Sequence, residues 1–190
     1  IDSLKNKTIL IYGEQGLGDN IHFVRYFNLI KSQAKKAILQ VDERLVHLFK
    51  ESNFSNDIFS NNEKLPKFDI HCPLLSLPFR FSTTLKNIPS SDKYLFPNED
   101  RIIRWKKTFE SQYLNIGINW QATPNPYFDR GRSFKLKYFN DISSIDNIKL
   151  YSLQKINGLS QISEISNQFK LNIIDNFDEE APFVDTAAII

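Results

Sequence analysis

The chain has 190 residues, with 24 Lys and Arg against 22 Asp and Glu, for a formal net charge of +2. Hydrophobic residues make up 41% and charged residues 24%, a globular balance that excludes a disordered chain and leaves no strong basic field for nucleic-acid binding. The single cysteine, Cys72, excludes a disulfide framework and a Cys-rich metal centre, and no apolar run is long enough to span a bilayer.

Short β-branched runs alternate with longer amphipathic stretches, which predicts an α/β fold. Thr8 to Tyr12 reads as a buried strand, followed by a glycine-rich turn from Gly13 to Gly18 and a helix from Asp19 to Lys31. Ala37 to Val41 is a second strand, and Asp42 is placed to cap the helix that carries Leu45, Val46 and Phe49. Asp57 to Phe59 and Phe68 to Cys72 are further strand candidates. Pro73, Pro78, Pro89 and Pro97 then break the chain into loops. Asn98 starts a helix with Glu99 and Asp100 in its first turn and Ile102, Ile103, Trp105 and Phe109 on its apolar side.

A second strand–helix series begins after residues 110–113, so the predicted domains are 1–110 and 111–190. Its elements are a strand from Leu114 to Trp120 and a polar loop with Pro124 and Pro126, then a helix from about Ser133. A strand from Lys149 to Leu153, a helix from Leu159 to Phe169 and a strand from Leu171 to Ile174 follow. Val184 to Ile190 reads as a helix that leads on into the second sheet. Ile1 in place of Met, and that apolar end, point to a piece of a longer chain. No signal-peptide pattern is visible, which points to the cytoplasm.

Gly13-Glu14-Gln15-Gly16-Leu17-Gly18-Asp19 carries the sharpest local signal. Glycines between a strand and a helix permit a tight turn and close approach of a ligand to the backbone, and the helix start behind them favours anions. The spacing is neither a dinucleotide fingerprint nor a P-loop. Asp19 and His22 are three apart at the helix mouth, where a carboxylate can take a proton from a hydroxyl with an imidazole beside it. The plain alternative is that Asp19 caps the helix. No cluster has zinc or calcium spacing, so neither a metal nor a cofactor is expected.

GEQGLGDNIHFVRYFNLI (Gly13 to Ile30) resembles the opening motif of the heptosyltransferase-like glycosyltransferases related to family 9. More specifically, it resembles the glycosyltransferase-like region that follows tetratricopeptide repeats in many bacterial proteins. FDIHCPLLSLPFRFSTTLKNIP, GINWQATPNPYFDRGRSF and YSLQK resemble the same group, in blocks spread over nearly the whole chain. The resemblance implies a GT-B fold of two Rossmann-like domains, here the first domain and the first half of the second, because the donor signature is expected after Ile190. It implies transfer of a sugar from a nucleotide-sugar donor to a glycan, lipid-linked or protein hydroxyl, without a metal and with inversion.

By the same resemblance Asp19 matches the catalytic base, with His22 beside it and Gly16 and Gly18 shaping the substrate turn. Arg130, Arg132 and Ser133 match a phosphate-side pattern, against the plain reading of a solvated loop with Ser133 as a helix cap. Lys155 would face the leaving phosphate or be a surface lysine, and Trp120 would line the cleft or be core packing. The rival reading is a non-catalytic binding or scaffold module attached to a repeat array. An unrelated Rossmann-like nucleotide binder is disfavoured by the missing dinucleotide fingerprint.

Overall fold

The β-branched run at the start becomes strand β1 (Thr8–Tyr12), whose three middle residues are buried. In the computed structural model, which describes residues 4–89, 93–125, 127, 129–165 and 169–190, β1 pairs in parallel with β2 (Lys36–Val41) on one side and β4 (Ile70–Pro73) on the other. β3 (Ile58–Ser60) adds in parallel to β2, giving the order β3-β2-β1-β4. The chain therefore runs outward from β1 through β3, then crosses back to the other side of β1. That reversal is the topological switch point of a doubly wound sheet, and ligands in such folds bind outside the carboxyl ends of the strands there.

The predicted helix from Asp19 to Lys31 is broken. It forms α1 (Leu17–Phe23), a 3-10 turn over Val24–Tyr26 and α2 (Phe27–Lys31). Arg25 Nε donates to the His22 carbonyl at 2.9 Å, taking up an acceptor in the turn where the helix tightens. Crowded Phe23, Val24, Tyr26 and Phe27 favour that break, since β-branched and aromatic side chains lose rotamer freedom in a regular helix. Val24 and Phe27 pack with Ile11, Leu39, Leu45 and Phe49 into the main core, and all six are fully buried. Each contributes roughly 1.5–3 kcal/mol relative to exposure. α3 (Glu43–Glu51) starts as predicted, with Asp42 Oδ1 accepting from the Arg44 amide at 3.0 Å. A short α4 (Leu77–Arg80) follows β4.

α5 (Glu99–Lys106) begins where expected, and Asn98 Oδ1 accepts from the Asp100 amide at 2.8 Å. Its predicted apolar side is not a buried face: Trp105 is buried, whereas Ile102 and Ile103 are exposed. Phe109 lies past the helix end and packs edge-on against Tyr151. The second parallel sheet has the order β5-β6-β7, formed by β5 (Leu114–Ile118), β6 (Ile148–Ser152) and β7 (Leu171–Ile173). Its core holds Ile118, Trp120, Leu136, Leu150 and Phe169. The helix expected from Ser133 starts later, as a 3-10 turn over Leu136–Phe139 that runs into α6 (Asn140–Ser143). α7 (Ser160–Glu164) is shorter than the helix expected to Phe169; residues 166–168 of that expectation, and Pro126 of the polar loop, lie outside the described residues.

Two compact units result, each a Rossmann-like α/β arrangement: Ile1–Ile102 with Asp178–Ile189, and Ile103–Phe177. The division falls within α5 rather than at 110–113. The larger departure is at the other end. α8 (Val184–Ile189) belongs to the first unit, and Ala181 and Val184 are buried in that unit's core. The reason is electrostatic as well as apolar. The Arg101 guanidinium contacts Asp185 Oδ1 at 3.1 Å, Glu180 Oε2 at 2.6 Å and Glu51 Oε1 at 3.3 Å, and Asp185 is 2% exposed. Asp178 locks the start of α8 from the other side, accepting from the amides of Asp185 (2.7 Å) and Thr186 (3.0 Å).

Candidate functional site

The turn between β1 and α1 sits at the carboxyl end of β1, beside the switch point. Its backbone is built by a polar lattice. The Gly13 amide donates to the Gln40 carbonyl at 2.7 Å, which ties the end of β1 to β2. Gln15 takes the left-handed conformation at φ 64, so the sharp bend falls on a glutamine between the glycines and not on a glycine. Gly16 caps α1, and its amide donates to Asp19 Oδ2 at 3.0 Å, half of a capping box. Gly18 is exposed with open space around it.

Asp19 and His22 both lie on the exposed side of α1, and no hydrogen bond joins them. The His22 ring instead rests against Phe23, 4.9 Å between centroids. The Asp19 carboxylate is thus both solvent-accessible and a cap: one oxygen holds Gly16, and the other takes no hydrogen bond from a described residue. The two roles that the sequence offered are compatible in one side chain.

A residue that the motif reading passed over organises this turn. Asn20 is 3% exposed, and its Nδ2 donates to the carbonyls of Glu14 (2.9 Å) and Gly16 (2.8 Å). A signal was present: Asn20 stands at i, i+4 and i+7 with Val24 and Phe27, so it falls on the buried stripe, where an amide needs partners.

The remaining candidates follow the carboxyl ends of β5 and β6 in the second unit. Trp120 is 1% exposed, and its indole N–H donates to the Gly158 carbonyl at 3.1 Å, so it is core and not a ligand-lining surface. Gln154 holds the strand end behind it: Oε1 accepts from the amides of Trp120 and Gln121, both at 3.0 Å, and Nε2 donates to the Gln121 carbonyl. Ser133 does not cap a helix. Its hydroxyl donates to Asp129 Oδ1 at 2.5 Å and accepts from the Ala122 amide at 3.0 Å, closing the base of the 122–133 loop. Arg130 and Arg132 are exposed on either side of Gly131, which adopts φ 75. Lys155 Nζ donates to the Phe177 carbonyl at 2.6 Å and lies 4.7 Å from the centre of the Phe177 ring, so its charge is tied to that segment.

Elsewhere in the first unit, a cavity of about 330 Å³ runs beside β4, lined by Ile9, Ile30, Ile70, Cys72, Leu77 and Arg80 among others. Burial pushes the Cys72 thiol up, and the Arg80 guanidinium opposes that shift. Among the described residues no group of three or more His, Cys, Asp or Glu is placed to hold a metal ion, and no helix is long and apolar enough to cross a membrane.

The topology and this edge of the sheet define a Rossmann-like α/β protein with a candidate site at the switch point. Comparison with family models, with curated proteins and with solved structures finds no match.

Proposed function

We propose that the chain belongs to a glycosyltransferase that moves a sugar from a nucleotide-sugar donor to a hydroxyl acceptor. The observation that carries this reading is the exposed Asp19 carboxylate on the β1–α1 turn, at the switch point of a parallel sheet. The sequence blocks that resemble family 9 add to it.

In this reading Asp19 removes the acceptor proton, and the acceptor oxygen then forms a bond to the anomeric carbon. The bond from that carbon to the phosphate oxygen breaks with inversion, and its electron pair leaves with the nucleoside diphosphate. The Gly16 contact fixes the carboxylate without consuming its second oxygen. By the resemblance alone, Arg130 and Arg132 match the group's phosphate-side pattern, and a guanidinium binds phosphate through paired N–H donors.

One observation favours a second reading, a non-catalytic binding module: the Asp19 carboxylate already serves as a cap, so its place in the turn is explained without chemistry.

Asp19→Asn separates the two. An amide oxygen still accepts from the Gly16 N–H, so the cap survives while the base is lost. With uridine, guanosine and adenosine diphosphate sugars and a panel of hydroxyl acceptors, product formation followed by mass spectrometry is expected to fall by roughly 100-fold or more in the variant. Unchanged turnover in Asp19→Asn overturns the assignment of the base. Ligand binding with no turnover in the wild type favours the module.

A further inference from the structure

We propose that Asn20 is a positioning residue: its side-chain amide sets the conformation of the β1–α1 turn and, through Gly16, the orientation of the Asp19 carboxylate. This rests on the reading of Asp19 as the base. Three observations carry it.

First, the two hydrogen bonds from Nδ2 reach carbonyls on either side of Gln15, so one amide group brackets the left-handed residue. Second, Gly16 is held twice, its carbonyl by Asn20 and its amide by Asp19. A shift of Gly16 therefore moves the partner that orients the carboxylate. Third, Asn20 Oδ1 is buried and takes no hydrogen bond. It lies 1.9 Å from where a Cβ on Gly13 would stand, so the amide fits only because residue 13 has no side chain.

The orphaned oxygen decides between packing and positioning. A Leu at residue 20 would continue the apolar stripe of Val24 and Phe27 without burying an unpaired oxygen. Packing alone therefore does not call for an amide; the two donated hydrogen bonds do. Gly13 and Asn20 act as one device, with the bare Cα of Gly13 making room for the group that pins residues 14–16.

The test uses the full chain in four forms: wild type, Asn20→Asp, Gly13→Ala and the double variant. Asp keeps the volume of Asn but has no donor for the Glu14 and Gly16 carbonyls. Ala at residue 13 leaves the amide intact but drives it out of place. Each single variant is expected to raise hydrogen exchange at the amide of Gly16, which donates to Asp19 Oδ2. Each is also expected to lower kcat for sugar transfer by about 10- to 100-fold while KM changes less than about twofold, the signature of a misplaced group. Because both act on one contact, the double variant is expected to be no worse than the poorer single one.

Wild-type protection of Gly16 in Asn20→Asp, or single effects that multiply in the double variant, overturns the proposal. If Asn20→Asp does not fold, Gly13→Ala alone carries the comparison, and wild-type exchange and kcat in it are equally decisive. If the wild type transfers no sugar, the glycosyltransferase reading fails separately, and the exchange measurements still decide the role of Asn20.

Discussion

Asp42 shows how much a local contact can be read directly from residue order. Its position before an apolar stripe announces a helix cap, and the structure places its carboxylate on the Arg44 amide and guanidinium. The side-chain hydrogen bond from Arg44 lowers the carboxyl from its ordinary 3.8 to about 2. A group depressed in the folded state stabilises fully above its unfolded value, and that contribution is lost as pH falls through the folded one. Asp42→Ala is therefore expected to cost about 0.5–2 kcal/mol at neutral pH. The gap in Tm between wild type and variant should shrink as pH drops from about 4 to about 2. A gap of constant size over that range would show that the ionised carboxylate is not what stabilises α3. Asn20 was harder to find for a physical reason: its partners are backbone carbonyls in a turn, and residue order says nothing of which carbonyls a buried amide meets.

At the scale of elements, the strands were legible and several helices were not. β1 to β7 all fall on the runs expected of them, because a β-branched run flanked by turns has few other places to go. α5 misled because Ile102 and Ile103 supply an apolar pattern that the fold leaves exposed. α8 misled because its place depends on Arg101, 84 residues away from Asp185, a separation that no periodicity encodes.

That ion cluster gives a prediction. Arg101→Met takes the Arg101 guanidinium away from the carboxylate of Asp185, which is 2% exposed. Breaking a buried pair by removing one partner costs roughly 3–5 kcal/mol. Chemical denaturation should show a loss on that scale, and hydrogen exchange should quicken first in Asp178–Ile189. A loss under about 1 kcal/mol would place the cluster with ordinary surface pairs.

For the whole molecule, the two units are unequally provided. The first surrounds a four-stranded sheet with a broad apolar core, whereas among the described residues the core cluster of the second holds five buried side chains around three strands. Local stability follows buried contacts. Amides of β1 and β2 are therefore expected to exchange more slowly than those of β5 and β6, and the residues of the second unit to open at lower denaturant. Equal protection in both sheets would mean a single cooperative unit.

The chain path through these units has a further consequence for how the protein is made. The first unit draws Ala181 and Val184 from beyond the second, so the second is threaded into it as an insert. On the ribosome, residues up to Ile102 emerge first, and the helix that closes their core arrives about 80 residues later, a delay of roughly 4–16 s at ~5–20 residues per second. Throughout that interval the nascent first unit presents an uncovered apolar seat, and its core is completed only when α8 comes home.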